Sequence, residues 1–508
     1  LAAALARALV GRYAAVTHAI RPSDSAHSPR PAAGSSVPML AGPTPPTTAP
    51  TIRPNPTINS STLRTVSPLT GRDGNEPPGA RTGPMVPIWP ATPTASRTRD
   101  RTLPTMRSRS AALWIFAGLS AALASGYGVL FTIVADYRET YGISETAIGW
   151  LIGVGFIAAF FSQTLVAPIA DRGYARRVIV AGVAINIAGL LLMAFGESLS
   201  ILMLGRIISG IGIGGSLPAI RRVVILTDNE NLGANLGRLL SADVFGFAMG
   251  PAISAVLVGP FGLAAPFLVV SAATAILLAI SRTVPVEETA TTTNTPQRLA
   301  VDLLTNRVVA GAVVLAAGVF LMIGAFDALW DVVHDDLGTA DWIANLGITL
   351  FAIPLIILGP TSGRLAQNYG PFRIGGAGLL AGAFFMFMYG QLPDGNWIFA
   401  FTMGHALTDA LSISASGVAV AMAVPEERQA GAQGLIGAAQ ALAAGLTAGA
   451  IGAIYEGSGR TTSYTVAAIV MIVFVVAGMW LAKDFWRSNR HRDHAPEPQR
   501  VTARRRDR

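Results

Sequence analysis

The sequence predicts an all-α membrane protein: twelve transmembrane helices in two pseudo-symmetric six-helix halves, behind a disordered N-terminal extension. Three observations carry that expectation. Of 508 residues, 51% are hydrophobic and 13% are charged, about half the charged share of a soluble domain. The apolar residues gather into runs near the roughly 20 residues that cross a ~30 Å hydrocarbon core. Those runs lack the two-residue alternation of barrel strands and are too long for them, which selects helices. A soluble enzyme of several domains is excluded on the same grounds.

Residues 1–105 stand apart. They are rich in Pro, Thr, Ser and Arg and carry no sustained apolar period, so they cannot bury enough surface to offset the entropy of ordering. The run Leu1–Val10 is too short to span and is interrupted by Arg7. Met106 precedes Arg107, Arg109 and the first apolar run. The expectation is that translation starts there, or that 1–105 are dispensable.

The spans then follow in order: 112–135, 146–169, 178–196, 200–220, 235–258 and 262–281, then 308–333, 342–362, 374–391, 398–421, 431–454 and 463–481. This organises the chain as a first half at 106–282, a linker at 283–307, a second half at 308–482 and a basic tail at 483–508. The linker carries Glu287, Glu288, a threonine run, Asn294 and Pro296. Arginines fall on alternate connections: Arg172, Arg176 and Arg177, then Arg221, Arg222 and Arg238, then Arg282, Arg298 and Arg307, then Arg364, Arg373 and Arg428. The other connections hold Arg138 and Arg460 beside Asp335, Asp336, Asp341 and Asp394. The positive-inside rule places both termini and the linker in the cytoplasm of a multi-pass plasma (inner) membrane protein.

The net charge of +8 does not indicate nucleic acid, because the basic residues sit in tails and short connections and Lys483 is the sole lysine. Cysteine is absent, which removes disulfides, thiolate metal sites and a cysteine nucleophile. Gly210, Gly212 and Gly215 satisfy a G-x-G-x-x-G spacing, yet they lie within an apolar span and not after a strand, so close helix packing is the reading. His491 and His494 in the tail are too few for a metal site. No metal, cofactor or enzymatic activity is expected.

Two connections repeat. After the second span the chain reads Ala167-Pro-Ile-Ala-Asp171-Arg172-Gly-Tyr-Ala-Arg176-Arg177, and after the eighth it reads Gly363-Arg-Leu-Ala-Gln367-Asn-Tyr-Gly370-Pro-Phe-Arg373. Equivalent loops in each half mark an internal repeat. With these loops, residues 107–485 resemble the major facilitator superfamily of secondary transporters. The first loop departs from the family signature at Tyr174 and Ala175, and the second has Gln367 where an acid is usual. The resemblance implies that the loops gate the cytoplasmic side, with Asp171 capping or pairing across the bundle. Holding topology alone is the plain alternative for Arg172, Arg176 and Arg177.

Intramembrane charges supply the remaining candidates, because each is costly unless paired or facing water. Arg206 lies in span four within Leu204-Gly-Arg206-Ile-Ile-Ser-Gly210, similar to a family motif associated with proton coupling; pairing with Asp243 is its structural alternative. Span five holds Gly246-x-x-x-Gly250-Pro251, similar to the family's antiporter motif except for Ser254 and Ala255 at its close. The glycines allow a close approach and Pro251 removes a hydrogen bond, so packing alone is the other reading. Asp327 and Asp331 flank Trp330 in span seven, and His405 and Asp409 share one face of span ten. Asp327, His405 and Asp409 reach overlapping depths, so a single cavity could present them for proton exchange; an Asp327–His405 structural pair is the alternative. Gln433 and Gln440 add hydrogen-bonding capacity to span eleven.

The resemblance therefore implies a monomer in the lipid bilayer that moves a small-molecule substrate by alternating access, with protons driving efflux. Nutrient import by a proton symporter or facilitator stays open, as does a membrane sensor or intramembrane enzyme.

Overall fold

The computed structural model describes residues 106–143, 145–286 and 299–487. The expectations for 1–105, for most of the linker and for the tail beyond 487, with His491 and His494, lie outside the described residues. Within them the secondary structure is helical, without a strand. The first half comprises α1 (Met106–Tyr141), α2 (Glu145–Leu165), α3 (Ala175–Phe195), α4 (Leu199–Thr227), α5 (Leu232–Phe261) and α6 (Ala264–Ser281). The second comprises α7 (Arg307–Asp336), α8 (Asp341–Tyr369), α9 (Pro371–Gln391) and α10 (Gly395–Ala423), followed by a continuous helical stretch, Gln429–Leu481. Gly459, at φ 74°, breaks that stretch into α11 (429–458) and α12 (460–481). Gly173 does the same between α2 and α3 at φ 84°, within a wide turn over Ala170–Tyr174. With both breaks counted, twelve spans are present among the described residues, as expected.

The helices outrun their apolar runs. α1 reaches Tyr141 and α4 continues to Thr227, because an apolar run marks only the part of a helix that lies in hydrocarbon. One consequence is a correction: Arg221 and Arg222 belong to α4 and not to the connection after it.

The two halves repeat one packing plan. α1 packs on α5 and α4 on α2 and α3; in the second half α7 packs on α11 and α10 on α8 and α9. Between the halves the main contacts are α2 with α11 and α5 with α8, which exchange under the same pseudo-symmetry. Gly246 and Gly250 sit against the backbone of α1 at Ala121 and Gly128, so the span-five glycines serve helix packing. In α4, Gly210 meets the Gly155 carbonyl of α2, and Gly212 meets Gly182 and Asn186 of α3. The G-x-G-x-x-G spacing is therefore a helix-packing stripe.

Between the halves, Gly233 faces Gly363 and Gly237 faces Gly359, so α5 and α8 touch backbone to backbone. A Cβ at Gly445 of α11, by contrast, meets nothing within 4 Å. Gly363→Leu should consequently lower the thermal midpoint in detergent, by overpacking of about 1–3 kcal/mol, whereas Gly445→Leu should not. Equal midpoints would show that the α5–α8 contact does not hold the bundle.

Candidate functional site

The arginine-rich end of the bundle carries the first constellation. Asp171 lies in the Gly173 turn and is 5% exposed. Its Oδ1 accepts from Arg222 Nε at 3.0 Å and from the Ala430 amide at 2.9 Å, and its Oδ2 accepts from the Gly431 amide at 2.7 Å. The first N–H groups of a helix have no intrahelical acceptor, and the helix dipole favours an anion there. A carboxylate from the first half thus closes the start of α11 in the second. Arg222 is fully buried, and its charge compensates the carboxylate.

The second loop performs the mirror-image task with a neutral group. Gln367 Oε1 accepts from the Gly233 amide at 2.7 Å, at the start of α5, while its Nε2 donates to the Glu230 carbonyl at 2.9 Å. Asn229 Nδ2 also reaches Glu426 Oε1 across the halves at 3.4 Å. Gly363 supplies the close α5–α8 approach, and Gly370 ends α8 at φ 98°. Two of the loop arginines have contacts of a different kind. Arg176 donates to the carbonyls of Arg282 and Val284, tying down the end of α6, and Arg177 lies over the Tyr174 ring. Arg172 is exposed.

Beside this lock, Arg428 makes a bidentate pair with Asp302, with bonds of 3.0 and 2.6 Å. The Arg428 guanidinium holds the Asp302 carboxyl below the usual carboxylate range. A depressed carboxylate stabilises the fold above its unfolded pKa and is lost only as pH falls through the lowered value, so the pair is intact at neutral pH. Asp302 is solvent-accessible, and surface pairs contribute little. Asp302→Asn should therefore change any transport rate by less than about fivefold, with no new pH dependence between pH 5.5 and 8. A larger loss, or a new titration in that window, would give the Arg428–Asp302 pair a larger role.

The second half holds a polar cluster near mid-bundle. His405 and Asp409 of α10 are 1% and 2% exposed, with His405 Nε2 3.4 Å from Asp409 Oδ1. Tyr389 Oη lies 2.9 Å from His405 Nδ1, and Met322 Sδ lies 3.1 Å from Nε2. The imidazole stacks on Phe385, with centroids 5.3 Å apart, and meets the Phe326 and Phe351 rings edge-on. Asp327 of α7 is exposed, and its charge acts on Asp409. A carboxylate two-thirds along a spanning helix faces water and not lipid. Asp327 thus lies at the accessible surface of α7, whereas Asp409 and His405 are buried in the interior. The expected sharing of one cavity by all three is corrected: only Asp327 reaches the open surface. The described partners of His405 are Tyr389, Met322 and Asp409, not Asp327.

Arg206, in the first half, is 1% exposed with its guanidinium 3.9 Å from the Tyr127 ring centroid. Its Nε and Nη2 have no hydrogen-bond partner among the described residues. The alternative pairing with Asp243 does not occur. Asp243 takes Arg221 at 3.5 Å and the Ser120 hydroxyl. Depth explains the choice: from the arginine-rich end, Asp243 lies ~17 Å in, Arg221 ~9 Å and Arg206 ~31 Å at 1.5 Å per residue.

A family model described as Major Facilitator Superfamily matches residues 114–333 and again 313–506. The chain belongs to the Major Facilitator Superfamily. The paired match agrees with the duplicated packing plan. Members of the Major Facilitator Superfamily are membrane transporters and not enzymes, and the chain is a multi-pass membrane protein. It is 24% identical to Multidrug resistance protein 2 of Bacillus subtilis over 148 residues, covering 29% of this chain and 37% of the relative. It is 24% identical to Quinolone resistance protein NorA of Staphylococcus aureus over 220 residues, 42% of this chain and 55% of the relative. The matched stretches thus span about half or less of those relatives. Among solved structures, the human organic anion transporter MFSD10 superposes with a TM-score of 0.63 at 16% identity, covering 74% of this chain and 100% of that one. The transporter FucP, solved in the outward conformation, gives 0.62 at 13% identity, with 74% and 99% covered. At those identities the likeness concerns the fold.

Reading the sequence did not single out Arg222, Tyr389 or Met322. Arg222 was one of two adjacent arginines with the look of topology markers. Successive helical residues point ~100° apart, so both could not face the same surroundings, but the sequence does not say which turns inward.

Proposed function

We propose that the chain exports a small molecule by alternating access, in exchange for protons. The observation that carries this reading is the pairing of a water-facing carboxylate, Asp327, with a buried one, Asp409, on two different helices of one half. A carboxylate in such a place can take up a proton and give it up in exchange for a positive or polar substrate. His405, 3.4 Å from Asp409, and Tyr389, hydrogen-bonded to His405, continue a line of polar groups from Asp409 into the protein. The driving force suffices: about 2.3 kcal/mol per charge per 100 mV supports roughly a 50-fold gradient. The Asp171 and Gln367 contacts close the arginine-rich end, which the positive-inside rule assigns to the cytoplasm, so the bundle opens outward. The multidrug and quinolone resistance proteins that share part of the sequence favour export of drug-like compounds.

The test is transport by the purified full chain in proteoliposomes, with norfloxacin and ethidium as probes under an imposed pH gradient. Movement of either probe against its gradient, collapsed by a protonophore, is expected. Equilibration that ignores the pH gradient would leave a facilitator and remove proton exchange. Orientation is checked separately by reporter fusions after Tyr174, within the linker near 290 and at the C-terminus, all expected to report cytoplasm in a plasma-membrane protein. One external signal would overturn that topology.

A further inference from the structure

Arg206 carries a charge that its described neighbours do not balance. The side chain is 1% exposed, and it crosses α2 so closely that a Cβ at Gly155 would lie 2.3 Å from its Nε. The Tyr127 ring of α1 covers the guanidinium at 3.9 Å. An aromatic face attracts the charge but gives the in-plane N–H groups no oxygen to bond. Two of those groups, on Nε and Nη2, have no hydrogen-bond partner among the described residues. Nε and Nη2 share one edge of the guanidinium, and their N–H bonds run parallel. Such an edge grips a planar two-oxygen anion with two bonds at once.

The described acids of the first half do not supply that anion. Asp243 lies ~14 Å nearer the arginine-rich end and is held by Arg221 and Ser120. Asp171 is taken by Arg222 and the start of α11. Asp136 lies ~14 Å beyond Tyr127 along α1, and Glu197 is exposed ahead of α4. A buried guanidinium is costly without a counter-ion, and intramembrane charges mark substrate paths. An aromatic wall stands beside this one, where Tyr127 and Phe156 meet edge-on with centroids 5.1 Å apart. α1 packs mainly on α5 and α2 on α4, and α1 and α2 touch each other only slightly. The thin seam between α1 and α2 is therefore the way in.

In the second half, Asp327 lies ~30 Å from the arginine-rich end, against ~31 Å for Arg206. Two groups of opposite charge thus stand at one depth, one in each half. We infer that the free edge of Arg206 is a carboxylate receptor, and that the exported molecule carries a carboxylate for Arg206 and a cationic group for Asp327. One carboxylate brings the single negative charge that compensates the guanidinium. Tyr127 and Phe156 flank the apolar body next to it. The inference rests on the export reading and names the chemistry of its substrate.

Norfloxacin, with a carboxylate and an amine, and its methyl ester, with the amine alone, are matched probes. Equilibrium dialysis against the purified full chain in detergent, at neutral pH and without a gradient, should show the acid bound about tenfold or more tighter. Arg206→Gln should erase that ratio. Gly155→Ala, which pushes the guanidinium aside and keeps its charge, should erase it too. Arg206→Lys keeps a charge without the fork and should recover only part of it. Asp327→Asn should weaken acid and ester alike, since both retain the amine. Equal affinities in the wild-type chain, or no binding of the acid, would overturn the receptor, as would a ratio that survives in Arg206→Gln or Gly155→Ala. The wild-type and Gly155→Ala measurements decide the matter if Arg206→Gln does not fold. Transport is read separately. An Arg206-dependent ratio without pH-driven movement of norfloxacin or ethidium would sink proton-driven export and keep the receptor. Driven movement of ethidium with no acid preference would keep export and sink the receptor.

Discussion

Asp327→Asn and Asp409→Asn should each abolish gradient-driven transport while leaving the protein inserted. Asparagine keeps the shape of the carboxyl group and removes its proton exchange. Loss of a proton-transferring side chain commonly costs 10²–10⁴-fold, so a fall of roughly 100-fold or more is expected in pH-driven movement of the probe. The two variants should differ in a second readout. Asp327 is exposed, so its loss should also weaken probe binding at zero gradient. Asp409 is 2% exposed, so its loss should spare binding and remove coupling. Wild-type pH-dependent transport in both variants would dismiss the pair as the coupling site and turn attention to Asp243. Arg206, buried over Tyr127, is the first-half counterpart to test beside them, by Arg206→Ala.

Asp171→Asn should shift the chain toward the state open at the arginine-rich end. The Ala430 and Gly431 amides both bond this carboxylate across the halves, and charge-assisted bonds are worth about 1.5–3 kcal/mol each. Loss of the charge and of one acceptor therefore predicts a population change of roughly 10- to 150-fold. A cysteine at Ala167, a fully buried position on the α2–α11 seam, supplies the readout. Its labelling by a water-soluble maleimide applied to the arginine-rich side should accelerate by that factor. Asp171→Ala is the harsher change: it leaves Arg222 buried without its carboxylate, a loss of about 3–5 kcal/mol, and should reduce the folded yield. An unaltered labelling rate in Asp171→Asn would show that the lock does not set the resting state.

The architecture was legible because membrane insertion writes itself into composition. Twenty-residue apolar runs and the alternation of arginines recover the spans, and the paired loops after α2 and α8 reveal the duplication. Side-chain pairing was less legible. Arg221 and Arg222 have the same sequence context, yet one meets Asp243 and the other Asp171, and only the rotation of α4 decides between them. Asp243 looked available to Arg206 until the opposite directions of α4 and α5 set their depths ~14 Å apart. Tyr389 and Met322 gave no signal, since one aromatic and one thioether in an apolar helix are ordinary core residues. The depth of Asp171 and the role of Gln367 were accessible in part, because the loops align. What the alignment cannot show is that an acid and an amide do equivalent work on the starts of two different helices.

The Asp171–Arg222 contact also decides what the membrane voltage can act upon. Both partners belong to the first half, carry opposite charges and travel together when that half moves. Their summed displacement along the membrane normal carries no net charge, and the Gln367 contact carries none at either partner. An electric field does work only on net charge displaced along it. The Asp171–Arg222 pair and the Gln367 contact therefore add no net charge displacement of their own when the arginine-rich end opens and closes.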